Sequence, residues 1–396
     1  MNDFFSRYKT WLLIGIILIG AFLRLYRLGS NPPSLDWDEA SIGYNAYSIL
    51  QTGADEYGNK FPIAFRSFDD YKPPVYVYLT VPSVAIFGLN EFAVRLPAAL
   101  IGIAAVIVLY FLVKEILLNW DDKKREYIAL ASAFFLAISP WHLQFSRAAF
   151  EGNAGMFFLI LSLLFFFKAF RNKYLYLPFA ASFVLSIYSY HSFRLINPIL
   201  LLVMLVIFYK QLIKQKIFVA ISLILIVVFS AATYLSFFST SGSGARLSMV
   251  TVFSDPTLQL QSAKNVEIAK KNHDLIAEII NNRRLIFIPT IIKGYLDHFN
   301  FDFLFLHGDS GVQHHAYNMG MLYLWEYPFI IIGIIFLLKK NRSKNPFDHD
   351  SIFTSSDSIC NYNRNSSSCS GNRHDSGIPD FFFGGICSIY VVTFQK

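Results

Sequence analysis

Apolar runs of near-spanning length recur along this chain, divided by short polar breaks. A helix needs about 20 mainly apolar residues to cross a bilayer. Segments near 10–28, 93–114, 128–146, 154–170, 174–190, 195–209, 217–238 and 324–338 meet or approach that length. They predict an all-α polytopic membrane protein, a bundle of about eight transmembrane helices. Segment 74–88 is apolar but shorter. It reads as re-entrant, as interfacial, or as the first member of a pair with 93–114. No internal repeat is evident.

Between the runs, cationic residues sort by side. Lys114, Lys123, Lys124 and Arg125 fall in one connection, Lys168, Arg171 and Lys173 in a second, Lys210, Lys214 and Lys216 in a third. Lys339, Lys340, Arg342 and Lys344 follow the last run, whereas the alternate short connections hold Arg147 and Arg194. Cytoplasmic loops carry the excess Lys and Arg. The N-terminus, with Arg7 and Lys9, is therefore expected in the cytoplasm. Two long loops, roughly 29–92 and 239–323, are expected outside. Arg7 and Lys9 precede the apolar stretch Trp11–Leu23 as in a signal peptide. No small-residue cleavage site follows, so the first helix is expected to be retained.

Composition agrees. Of 396 residues, 54% are hydrophobic and 15% charged, against about a quarter charged in soluble domains. The net charge of +7 is accounted for by the cytoplasmic connections, so no nucleic-acid partner is expected. Cys360, Cys369 and Cys387 all lie near the end, which leaves no disulfide framework or Cys metal site in the body. No phosphate-cradling or dinucleotide glycine motif is present. Any group this chain transfers should come from a donor already in the membrane.

Local order is legible in the first outer loop. Asp36 or Asp38 can cap a helix that runs to Thr52 and stops at Gly53. Ile42, Ala46, Ile49 and Leu50 would form its apolar face, resting on the membrane surface. Asp36, Asp38 and Glu39 crowd into four positions. A carboxylate in a first helical turn meets free N–H groups and the positive end of the dipole, as suits a base. Simple N-capping is the plainer reading. Lys72-Pro73-Pro74 sets a cation at a helix start, where anions bind, with Arg66 nearby. The plainer reading is anchorage to lipid headgroups.

Further polar residues stand in the other outer connections. His142, Arg147 and Glu151 occupy one, either as a site or with Arg147 and Glu151 as an i, i+4 pair. His191 and Arg194 occupy another. His307, Asp309, His314 and His315 close the long loop. Adjacent histidines could hold a divalent metal, but no Cys or carboxylate spacing supports one, and no cofactor is expected.

These residues resemble the membrane glycosyltransferases of the GT-C superfamily, among them the protein O-mannosyltransferases and aminoarabinose transferases. The resemblance rests on Asp38-Glu39 after the first span and on the ungapped runs Tyr71–Leu79 and Phe87–Leu100. Ser139-Pro-Trp-His142, Ser146-Arg147, Gly308-Asp309 and Gly320–Glu326 extend it over roughly residues 10–340. It implies inverting transfer from a polyprenyl-phosphate sugar to a hydroxyl of a lipid, glycan or protein on the outer face of the plasma membrane. Asp38 would be the general base, beside Glu39. Lys72 would bind the donor phosphate, with Arg66 and Arg147 as further cations. Asp36, Glu151, His142, His191 and Arg194 would support.

Two other readings stand beside this one. The first is a transporter of a lipid-linked sugar, which should show repeats and mid-span polar groups. The polar groups here gather at one face. The second is an inactive, truncated relative, because 341–396 turns Ser/Asn-rich where relatives continue with spans. That tail reads as a disordered cytoplasmic segment or as the product of a changed reading frame.

Overall fold

The computed structural model describes residues 2–341 except 69, 236–255, 283–284, 310 and 312–318. The Ser/Asn-rich tail beyond 341, Asp69, His314 and His315 lie outside the described residues. Helix α1 is Asn2–Leu25, α2 is Trp37–Thr52, α3 is Pro74–Phe87, α4 is Glu91–Ile116 and α5 is Asp122–Ile138. Next come α6 (Pro140–Arg147), α7 (Glu151–Ala169), α8 (Tyr176–Ser189), α9 (Phe193–Ile207), α10 (Tyr209–Lys214) and α11 (Lys216–Leu235). Three helices follow in the second long loop: α12 (Pro256–Lys271), α13 (Leu275–Ile280) and α14 (Phe287–Asp297). Glu326–Asn341 forms α15.

Among the described residues each of the eight expected segments is largely helical, but fewer reach spanning length. Among the described residues, Tyr8–Leu25, α4, α7 and α11 are long and apolar enough to cross a membrane, and α5 with α6 makes a fifth, bent by 56°. Helices α3, α9 and the start of α15 are apolar but shorter. Burial separates centre from rim. The spanning windows of α4 and α7 are each 61% buried, against 22% for α11 and 11% for α1. Helices α4, α5 and α7 thus form the middle, and the apolar outer faces of α1 and α11 suit lipid. The structure is a multi-pass α-helical membrane protein.

The bend in the 128–146 segment has a local cause. A residue before proline is pushed out of the α region, and Ser139 sits at φ −58°, ψ 128°. Pro140 brings no N–H, so Leu136 loses its helical partner. The Trp141 N–H turns away to donate to the Met321 carbonyl at 3.2 Å, which strands Ala137. Arg24, fully buried at the end of α1, donates to both carbonyls, at 3.1 Å to Leu136 and 2.8 Å to Ala137. It also donates to the Gly20 carbonyl and to His142 Nδ1, at 2.9 and 2.6 Å. The guanidinium stands in for the two N–H groups that a straight helix would have supplied. Arg24→Leu should therefore lower stability by about 2–4 kcal/mol, since each orphaned buried carbonyl costs roughly 1–3. Thermal unfolding in detergent measures this, and an unchanged melt would remove Arg24 from that role.

The short 74–88 segment pairs with its successor. Helices α3 and α4 pack together across a three-residue joint, where Gly88 adopts φ 77° and Asn90 caps α4 by accepting from the Ala93 N–H at 2.9 Å. Before α3, strands β1 (Phe65–Ser67) and β2 (Asp70–Lys72) form an antiparallel hairpin, with Arg66 opposite Tyr71. Helix α2 begins and ends as expected, capped by Asp36 and stopped by Gly53 at φ 71°. Its buried face is Ile42, Ala46 and Ile49, packed on α3 and α4. Leu50 departs from the expected stripe and is exposed.

Charge gathers at both ends of the bundle. At one end the C-termini of α4 and α7 meet the start of α5, where Lys114 pairs with Glu126 at 2.8 Å and Arg171 with Glu115 at 2.6 Å. At the other end stand the N-termini of α2, α3, α4 and α7.

Candidate active site

The N-termini of α2 and α7 frame a pocket of about 290 Å³, with Asp36, Asp38, Gln144, Phe150 and Glu151 in its walls. Asp36 sits at the N-cap and accepts from the Trp37 N–H at 2.9 Å, while its own N–H donates to Glu39 at 3.0 Å. This reciprocal pair is a capping box. The Asp36 carboxyl is pushed above the usual range. Partial burial is the main cause, the Trp37 N–H opposes it, and the charges of Asp38 and Glu39 add to it.

Asp38 and Glu39 are neighbours with different surroundings. Glu39 is buried. Arg95 Nε donates to Oε1 at 2.9 Å and Nη2 to Oε2 at 2.9 Å. The Ala149 N–H donates to Oε1 at 3.0 Å, and the Asp36 N–H fills Oε2. A carboxylate has about four acceptor sites, and here each is taken. Glu39 has no lone pair left for a substrate, so the geometry makes it a framework residue and not a second base. Asp38 keeps 39% of its side-chain surface exposed and lies 2.7 Å from Lys72 Nζ. Lys72, itself buried, also lies 3.9 Å from Glu151 Oε1.

The remaining expected site residues divide sharply. Arg147 donates to the carbonyls of Leu23, Tyr26 and Asn31 at 2.5, 2.8 and 2.9 Å. Those bonds hold the end of α1 and the turn after it, and Arg147 lines no part of the pocket that was expected to use it as a phosphate cation. Arg147 and Glu151 stand on different helices, because the chain leaves α6 at Ala148, φ −101°, ψ 158°. Arg66 lies with its guanidinium 5.2 Å above the Tyr57 ring and lines no part of the pocket. His142 is buried at the α5–α6 bend, against Arg24. Arg194 is buried at the start of α9, where its carbonyl accepts from Tyr234 at 2.8 Å. His191 Nε2 donates to the Tyr71 carbonyl at 2.8 Å. His307 pairs with Asp302 at 2.5 Å, both largely exposed. Among the described residues, no group of three or more His, Cys, Asp or Glu is placed to hold a metal.

Sequence reasoning had given no role to Arg95 or Arg24. Besides Glu39, Arg95 donates to the carbonyls of Pro32 and Ser34 at 2.8 and 2.7 Å. It thereby fixes the turn that delivers Asp36 and Asp38. The available signal was a lone arginine at the head of an apolar span, since ionisable residues there mark sites or their supports.

At the polar end of this fold an acid and a lysine are paired, 2.7 Å apart. Residues 71–234 match the family described as dolichyl-phosphate-mannose-protein mannosyltransferase. The Bacillus subtilis (strain 168) protein named "Putative mannosyltransferase YkcB" is 28% identical over 176 residues, which is 44% of this chain and 23% of that protein. The apo oligosaccharyltransferase of Archaeoglobus fulgidus has a similar fold, with a TM-score of 0.52 at 15% identity over 98% of this chain and 50% of its own. ArnT from Cupriavidus metallidurans in the apo state gives a TM-score of 0.46 at 15% identity, over 73% of this chain and 55% of its own. The chain thus spans under a quarter of the curated relative's length and about half of each solved structure.

Proposed function

We propose that this chain carries the catalytic face of a glycosyltransferase. It would move a sugar from a polyprenyl-phosphate donor to an acceptor hydroxyl. The observation that carries the reading is the Asp38–Lys72 pair, 2.7 Å apart at the polar end of the bundle beside the pocket. Asp38 removes the proton from the acceptor hydroxyl. The oxygen attacks the anomeric carbon opposite the phosphate, the carbon–oxygen bond to phosphate breaks, and polyprenyl phosphate leaves. A single displacement inverts the anomeric configuration. The charge that grows on the departing phosphate needs a fixed cation close by, and Lys72 supplies it as a point charge. The step balances without a cofactor.

The description of the matching family favours a mannosyl donor and a protein acceptor. The distribution of Lys and Arg supports an outer position for this face, a cytoplasmic N-terminus and residence in the plasma membrane. Residues 1–340 would act as one membrane unit.

The test uses purified protein in nanodiscs with radiolabelled polyprenyl-phosphate mannose and a Ser/Thr-rich peptide. Lys72→Ala should raise the donor KM about 10- to 100-fold, in line with the roughly 1.5–3 kcal/mol of a hydrogen bond to a charged group. Lys72→Arg should restore only part of the loss, because a planar fork replaces a compact ammonium. Unchanged donor saturation in Lys72→Ala would leave Lys72 as an anchor at the headgroups.

A further inference from the structure

Lys72 occupies a weak stretch of backbone. It ends a strand of three residues in a two-stranded hairpin, and such ribbons are marginal by themselves. The next two residues, Pro73 and Pro74, offer no N–H. Helix α3 starts at Pro74, and its cap carries no side-chain hydrogen bond. Local structure therefore does little to fix the ammonium to the fraction of an ångström that phosphate recognition needs.

Support comes from a segment 120 residues away. His191, in the turn between α8 and α9, donates from Nε2 to the carbonyl of Tyr71, one residue before Lys72, at 2.8 Å. That turn has a firm mount. Phe193 packs so closely on Gly155 of α7 that a Cβ there would lie 2.3 Å from the edge of its ring. Ser186 donates to the Gly155 carbonyl at 2.9 Å, and Tyr234 of α11 donates to the Arg194 carbonyl at 2.8 Å. Helix α7 is also the one that begins with Glu151, the acid 3.9 Å from Lys72 Nζ. The same helix thus steadies the lysine at its charged end and, through His191, at its backbone.

We propose that His191 is a positioning residue for Lys72, and through it for the phosphate of the donor. The inference rests on the reading of Lys72 as the phosphate cation. The donating atom is Nε2, so the chemistry is specific. A glutamine amide places its nitrogen about where Nε2 stands. An asparagine amide matches Nδ1 and falls short.

The experiment measures binding of a polyprenyl phosphate without sugar to the full chain in nanodiscs. His191→Ala and His191→Asn should each bind about tenfold more weakly, as expected for one lost hydrogen bond near a charged group. His191→Gln should bind within about threefold of wild type, a remainder of under 1 kcal/mol. Lys72→Ala with His191→Ala should bind no more weakly than Lys72→Ala alone, because coupled residues are not additive. Gln and Asn are alike in polarity and close in size, so a general packing role would not separate them.

Wild-type binding by His191→Ala, or equal loss in His191→Gln and His191→Asn, overturns the proposal. Additive losses in the double variant overturn it too. If Lys72→Ala binds as wild type does, the reading of Lys72 falls first and the inference falls with it. If Lys72→Ala is weak and His191→Ala is not, only the inference falls.

Discussion

Asp38→Asn should reduce sugar transfer by about 10²- to 10⁴-fold, the usual loss when a general base is removed, while the protein stays folded. Asp38 is part-exposed and pairs with the Lys72 ammonium, and the capping box that starts α2 is built from Asp36 and Glu39 instead. Removing the charge therefore leaves the helix start intact. Stability should change by no more than about 1 kcal/mol, the scale of a part-exposed ion pair. Donor binding should hold, because Lys72 keeps its ammonium and Glu151 remains 3.9 Å away. Turnover at saturating donor is the quantity to measure. A near-normal rate in Asp38→Asn would remove the base from the proposed step, and Glu39, with every acceptor site filled, could not take its place.

Arg95→Met should produce the opposite phenotype, loss of the fold ahead of any question of chemistry. Both members of the Arg95–Glu39 pair are nearly inaccessible, at 0% and 5% side-chain exposure. Removing one partner of a buried pair leaves a desolvated charge and costs about 3–5 kcal/mol. The turn at Pro32 and Ser34 would lose its donor as well. Glu39→Met combined with Arg95→Met should recover a good part of that loss, because neither charge is then stranded. Unfolding in detergent, followed by tryptophan fluorescence, reads both variants. An Arg95→Met protein that melts with wild type would show that the pair does not hold the site.

Much of this arrangement could be read from residues alone, where the cause is local. The Asp36 cap, the Gly53 stop and the proline start of α3 each depend on a neighbour within four positions. The apolar runs likewise announced their helices. The bend between α5 and α6 was harder. Pro140 lay inside a run whose apolar character continued, and its consequence depends on Arg24, more than a hundred positions earlier. Asp38 and Glu39 look equivalent in sequence. Only Arg95 and the Ala149 N–H, brought in by packing, turn one into a saturated strut and leave the other open to the pocket. Arg147 drew notice as a phosphate cation for its charge, yet the carbonyls at the end of α1 occupy it. Hydrophobic periodicity places helices but carries no information about which buried carbonyl a given guanidinium will meet.

The Ala149 bond to Glu39 also bears on biosynthesis. Its partners are separated by 110 residues, and the chain emerges from the ribosome N-terminus first. Helices α1 to α4 are delivered to the membrane while the last donor to that carboxylate is still unmade. During that interval the Asp38–Glu39 corner has Arg95 but lacks one wall, and Lys72 lacks both Glu151 and His191. The pocket cannot close until α7 has been threaded in. A nascent chain stalled before that point would hold its acids and its lysine without a shaped cavity between them.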